Sequence, residues 1–147
     1  MNNQSNHIPF AKTFLTALFA GIIATLLCLG FDIGFRMATY YGPSDFINVS
    51  SIIFIVNLLL LMAGVAYYAL KTWSKRGDLI YTLLFLVVFA FCMWKTIGIH
   101  RFTDLKVNRE FIELLGGIII IIGIATLCIP YFYNHKKMVD IYYEAEV

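Results

Sequence analysis

Four apolar stretches of roughly 20 residues or more follow one another along the chain, at positions 13–31, 46–70, 79–99 and 114–133. Lys95 is the only charged residue inside any of them. A helix rises about 1.5 Å per residue, so each stretch covers the roughly 30 Å hydrocarbon core of a bilayer. We therefore predict an all-α integral membrane protein, a single four-transmembrane-helix bundle with helices at about 10–36, 46–71, 78–99 and 109–133 and a short cytoplasmic tail at 134–147.

The composition of the chain also favours a bilayer location. Hydrophobic residues make up 61% of the chain and charged residues 14%, whereas about a quarter of the residues are charged in a soluble domain. The net charge is only +2, and the Lys and Arg residues are spread over several loops, so there is no basic patch for nucleic acid. The expected partners are the lipid bilayer and possible further subunits, either copies of this chain or a membrane partner protein.

The distribution of basic residues predicts the orientation. An even number of spans puts both termini and the 71–78 turn, KTWSKRGD, on one side of the membrane. Six of the eleven Lys and Arg residues belong to that side and five to the other. Arg36 and Lys95, among the five, are expected to be embedded and to count little as topology signals. We therefore predict that both termini are cytoplasmic.

The stretch LCLGFDIGFRMATYYGP, at 27–43, is expected to contain the end of the first span, near Phe31. Asp32 and Arg36 lie one helical turn apart and therefore on the same face of the helix. The two tyrosines that follow are placed at headgroup depth, and the Gly-Pro pair turns the chain. The two charges are interpreted either as an interfacial ion pair that anchors the helix or as the beginning of a polar site.

Further ionisable residues are predicted at the same external end, where the third helix ends and the fourth begins. Asn108 is expected to cap the fourth helix, with Glu110 and Glu113 in its first turn. Lys95 lies about one turn inside the membrane boundary and should have an anionic partner, with Glu113 as first choice and Asp32 as second. The candidate polar cluster comprises Asp32, Arg36, Lys95, His100, Arg101, Glu110 and Glu113. These residues are interpreted either as solvated loop residues or as a functional site.

Small residues indicate how the helices pack, because they let helix backbones approach closely where lipid provides no hydrophobic drive for association. They recur at four-residue spacing in the first helix and as glycines in the fourth. The predicted packing residues are Thr13, Ala17, Gly21, Thr25, Gly116, Gly117 and Gly123, and a second row lies beside them at Ala20, Ala24 and Cys28.

Asn57, near the middle of the second helix, is expected to make an interhelical hydrogen bond, with a lining role as the alternative.

A weak internal repeat is also present. DIGFR at 32–36 is echoed by TIGIHR at 96–101, and DFIN at 45–48 by EFIE at 110–113, at offsets of 64 and 65 positions. Two related helical hairpins would explain the matches and would resemble the parallel repeats of some transporters. Chance similarity between apolar sequences is the alternative explanation.

Residues for catalysis or cofactor binding do not form a recognisable motif. The three histidines fall outside the predicted spans, so no pair can hold a haem inside the bundle, and the three cysteines are isolated. His100, Glu110 and Glu113 could hold a metal, but their spacing matches no known signature. We therefore predict no catalytic residue, no metal site and no cofactor.

In several features the chain resembles an uncharacterised family of small four-helix bacterial membrane proteins, which is defined as a domain of unknown function. They are the segment YYGPSDFINVSSI with its helix start at Asn48, Val49 and Ser50, the short basic turn after the second helix, and Pro130 near the end of the fourth. The resemblance implies a bacterial inner-membrane location and no activity.

The sequence as a whole favours a protein that is not an enzyme. The expected function is that of a structural or accessory subunit, or of a small oligomeric membrane protein. The alternative is a small transporter or channel component that uses the external polar cluster. No carboxylate is placed at the middle of the membrane, where proton-coupled exporters carry theirs, which favours the first interpretation.

Overall fold

The structure, a computed structural model, describes residues 10–40, 42, 47–100 and 103–135. Within these residues there are four helices and no strand, so the predicted all-α four-helix bundle is confirmed. All four helices are long and apolar enough to cross a membrane, which indicates a multi-pass membrane protein. They are α1 (Phe10–Thr39), α2 (Val49–Trp73), α3 (Gly77–Ile97) and α4 (Leu105–Asn134).

The start of α4 differs from the prediction. Asp104 is the N-cap, and its side chain accepts a hydrogen bond from the backbone N–H of Lys106 at 2.9 Å. Asn108 was wrongly expected in that role. It lies one turn inside the helix, buried, where its Nδ2 donates to the carbonyl of Ile99 at 3.0 Å. The helix therefore begins about one turn earlier than expected, and Glu110 is not in its first turn.

The end of α1 and the start of α2 also follow from local chemistry. α1 continues to Thr39, about one turn beyond the predicted helix end at 36, and Asp32 and Arg36 are helical residues as predicted. Asn48 caps α2, because its side chain accepts a hydrogen bond from the backbone N–H of Ser51 at 2.8 Å. The Asn-Val-Ser segment is thus the start of a helix.

The four helices form a bundle in which α1 and α3 occupy opposite corners. α1 packs against α2 and α4, α3 packs against the same two helices, and α2 also contacts α4; α1 and α3 share no contact within the described residues. α1 carries an extensive buried face, whereas α3 buries only Gly77, Tyr81 and Thr96. α3 is therefore the most peripheral helix, with a long apolar surface turned toward the lipid.

Helix contacts in the interior are close, and small residues make them possible. Thr13, Ala17, Gly21 and Thr25 are all buried. A Cβ on Gly21 would lie 2.9 Å from Asn57 Oδ1 of α2, and one on Gly64 would overlap the Cβ of Ala17. α1 and α2 therefore approach each other closely along this row.

The glycines of α4 have different surroundings. A Cβ on Gly117 would overlap the ring of Phe31 in α1, and one on Gly123 would overlap the ring of Phe89 in α3. Gly116 is buried, but nothing lies within 4 Å of the position that its Cβ would take. At two of the three predicted packing glycines of α4, an aromatic ring from a neighbouring helix thus occupies the space that a side chain would take.

Candidate functional site

Arg36 organises the end of the bundle at which α1 connects to α2 and α3 to α4, here called the two-loop end. Its Nε donates to Oδ1 of Asp32 at 2.9 Å, and Asp32 is only 3% exposed. Its Nη1 and Nη2 donate to the carbonyls of Gly42 and Ile47, each at 2.7 Å. A buried charge needs this kind of pairing and hydrogen bonding. The guanidinium therefore ties the last turns of α1 to the segment that leads into α2.

The other charges that the structure describes at the two-loop end have partners of their own or are exposed. Glu113 accepts a hydrogen bond from Arg109 at 2.9 Å, and Glu110 lies 3.9 Å from the Nζ of Lys106. Both are pairs within α4, at a spacing of four residues, with exposed basic partners. His100 is exposed, and Arg101 lies outside the described residues. The carboxylates of the predicted cluster that the structure describes are therefore divided among separate ion pairs.

The pairing predicted for Lys95 is wrong. Its side chain is exposed, and its Nζ lies 5.5 Å from the ring centroid of Phe91, one turn earlier in α3. Glu113 is engaged by Arg109, and Asp32, the second choice, is engaged by Arg36. A flexible lysine near a helix end can reach the membrane interface without pairing with a carboxylate.

In the described part of the chain, no three His, Cys, Asp or Glu residues are grouped closely enough to hold a metal ion.

Near the middle of the membrane, one polar contact joins α1 and α2. Asn57 Nδ2 donates to Oγ1 of Thr25 at 2.9 Å and to the carbonyl of Ile53 at 2.8 Å. The hydroxyl of Thr25 in turn donates to the carbonyl of Gly21 at 2.7 Å. Asn57 thus makes an interhelical hydrogen bond, and its partner belongs to the row of small residues on α1.

A second polar network lies at the opposite end, here called the turn end because it carries the α2–α3 turn. Lys71 Nζ lies 2.9 Å from both carboxylate oxygens of Asp78, and Tyr67 donates its hydroxyl to Asp78 Oδ1 at 2.6 Å. Lys71 also donates to Asn134 Oδ1 at 3.2 Å, and Asn134 Nδ2 donates to Asp78 Oδ2 at 3.4 Å. The turn-end network, defined as Tyr67, Lys71, Asp78 and Asn134, therefore connects α2, α3 and α4.

Tyrosine rings lie between this network and the apolar core. Tyr67 makes edge-to-face contacts with Tyr81 and Tyr133, with ring centroids 5.2 and 5.5 Å apart. The hydroxyl of Tyr81 donates to the carbonyl of Thr126 at 3.0 Å. Because Tyr67 and Tyr81 are fully buried, the charged groups above them are separated from the apolar core by aromatic surface.

Sequence reasoning did not find the turn-end network. A signal was available, because Tyr67 and Lys71 are four residues apart on α2, and Asp78 and Tyr81 are three apart on α3, at matching distances from a tight turn. The part played by Asn134 depends on how α4 crosses the hairpin, which has no local sequence signal.

We compared the chain with known protein families, curated proteins and solved structures, and nothing matches. The resemblance to a bacterial family of small four-helix membrane proteins therefore remains a hypothesis.

Proposed function

We propose that this protein is a non-enzymatic integral membrane protein of the bacterial inner membrane, acting as an accessory subunit or as a small homo-oligomer. The observation that carries the proposal is the close packing of the interior. Gly64 lies against Ala17, and Gly117 and Gly123 are covered by aromatic rings. Such a filled bundle leaves its outer surface as the part that can act on other molecules.

The arrangement of charges supports the same proposal. The buried carboxylate of Asp32 is occupied by Arg36, and the turn-end network joins Lys71 to Asp78. The two groups lie at opposite ends of the bundle, and the hydrogen bonds of Asn57 with Thr25 and of Tyr81 with the Thr126 carbonyl join helices between them. Polar residues are thus used to hold helices together, a structural use of polar side chains in membranes.

The orientation is part of the proposal. The turn end carries Lys12, Lys71, Lys75 and Arg76, and positive residues close to helix ends favour the cytoplasmic side. The turn end would then face the cytoplasm, and both termini would be cytoplasmic as well. The two-loop end would face the periplasm.

The mass of the purified protein tests this proposal. The tagged chain is extracted from its native membrane in a mild detergent, and light scattering gives the protein mass without the detergent. A discrete multiple of 16.8 kDa, or a stoichiometric complex with a second protein, is expected. A homogeneous monomer without a partner would contradict the proposal.

A flux measurement on the same preparation separates the proposal from the transporter alternative, since a transporter of this size is also expected to be oligomeric. The protein is reconstituted into liposomes, and the movement of protons and of monovalent ions is followed with internal dyes. We expect no flux above that of empty liposomes. Flux that is lost on Asp32→Asn would instead support a transporter that uses the two-loop end.

A further inference from the structure

An apolar groove runs along the outside of the bundle between α1 and α4. Its volume is about 200 Å³, and its lining, which is entirely apolar, includes Ala20, Ile23 and Leu27 of α1 and Ile121, Ala125 and Phe132 of α4. Ile23 and Leu27 are 38% and 57% exposed, so the groove opens toward the lipid rather than into the core. It is therefore positioned to take an acyl chain.

On the α4 side the lining of the groove is about as long as one leaflet of a bilayer is thick, whereas on α1 it extends only from Ala20 to Leu27. Ile121 and Phe132 are eleven residues apart on α4, which corresponds to about 16 Å along a helix. Half of the hydrocarbon core is about 15 Å thick. A chain that fills the groove would thus begin near Phe132, close to the turn end, and finish near the bilayer midplane.

Lys12 does not itself line the groove, but it lies near the Phe132 end, where a headgroup would be. Lys12 Nζ is 4.8 Å from the ring centroid of Tyr133, the residue after Phe132. Within the described part of the chain, no carboxylate is within ion-pair distance of Lys12. The other lysine near this ring, Lys71, is neutralised by Asp78. Lys12 therefore provides a positive charge that no described carboxylate pairs, at the level of Phe132.

We propose that the α1–α4 groove and Lys12 form a binding site for an anionic phospholipid. One acyl chain lies in the groove, and Lys12 binds the phosphate of the headgroup. Basic residues between transmembrane helices are a common recognition element for anionic headgroups. The charge complementarity selects an anionic lipid, whereas a groove without Lys12 would accept any lipid chain.

The charge is tested with two lysine variants, Lys12→Gln and Lys75→Gln. Lys75 is a matched control, because it is an exposed lysine of the α2–α3 turn at the same end of the bundle. Purified protein is titrated with dioleoyl phosphatidylglycerol or dioleoyl phosphatidylcholine, and binding is measured by native mass spectrometry together with thermal stability. We expect Lys12→Gln to weaken phosphatidylglycerol binding about fivefold and to leave phosphatidylcholine binding unchanged. Lys75→Gln should behave as the wild type. Equal phosphatidylglycerol binding by all three proteins would overturn the proposal.

The groove is tested independently with Ala125→Leu, which fills it. This variant should bind both lipids less well while keeping its helical circular dichroism spectrum. Lipid binding at the wild-type level would show that the acyl chain lies elsewhere and would overturn the proposed site. Inorganic phosphate alone should give no stabilisation, because the site requires the chain as well as the charge. Stabilisation by phosphate equal to that by phosphatidylglycerol would likewise contradict it.

Discussion

Asp78 is the group on which the turn-end network depends, because it accepts hydrogen bonds from Tyr67, Lys71 and Asn134. The hydrogen bond from Tyr67 has a charged acceptor and a buried donor, so it should contribute about 1.5–3 kcal/mol. The Asp78 side chain is 44% exposed, and the ion pair with Lys71 should therefore contribute only about 0.2–1 kcal/mol. Asp78→Ala is expected to lower the free energy of unfolding by about 2–4 kcal/mol.

Double-mutant cycles separate the two contributions. Unfolding is followed in mixed micelles by circular dichroism for Asp78→Ala, for Tyr67→Phe and for Lys71→Met, singly and in pairs with Asp78→Ala. The coupling energy between Tyr67 and Asp78 should exceed about 1 kcal/mol and should be larger than the coupling energy between Lys71 and Asp78. Lys75→Ala, in the same turn, serves as the control and should change stability by less than about 0.5 kcal/mol. A coupling energy near zero between Tyr67 and Asp78 would show that their hydrogen bond does not stabilise the turn-end network.

Three further changes test the packing and the polar contacts, each by the unfolding free energy in micelles. Gly117→Ala should lower the unfolding free energy by about 1–3 kcal/mol, because its Cβ would overlap the Phe31 ring. Gly116→Ala, with open space at its Cβ, should be neutral or slightly stabilising. Equal effects of the two substitutions would mean that Phe31 moves freely aside. Asn57→Ala should cost about 0.6–1.7 kcal/mol through its lost interhelical hydrogen bond, and an unchanged stability would argue against that bond. Lys95→Ala should change stability by less than about 0.5 kcal/mol, and a larger loss would reveal an anionic partner.

The helices could be predicted from the sequence because hydropathy and length are local properties of the chain. The start of α2 at Asn48 has a local signal for the same reason, since a cap needs only a polar side chain before an apolar run. The start of α4 was misplaced because Asp104 and Asn108 are both acceptable caps. The choice between them depends on the carbonyl of Ile99, which Asn108 satisfies from inside the helix.

The side-chain partners were harder to predict, because they depend on how helices cross. Lys95 and Glu113 were placed at the same depth, but depth alone does not say which faces of α3 and α4 meet. Glu113 instead finds Arg109 on its own helix. Asp32 and Arg36 could be paired from their spacing, whereas the two carbonyls that Arg36 also binds belong to the following loop. The Asp32–Arg36 pair was thus accessible from local spacing, whereas the partner of a residue on another helix, such as Thr25 for Asn57, was not.

The proposed topology has the four helices crossing a membrane, with the turn end and the two-loop end on opposite sides. Single cysteines are introduced at Ser74 and at Asp104, in a background without Cys28, Cys92 and Cys128, and are labelled with a membrane-impermeant maleimide in intact spheroplasts and after permeabilisation. We expect labelling of position 104 from outside and of position 74 only after permeabilisation. Labelling of 74 alone from outside would reverse the proposed orientation. Labelling of both positions from outside would contradict the transmembrane bundle itself.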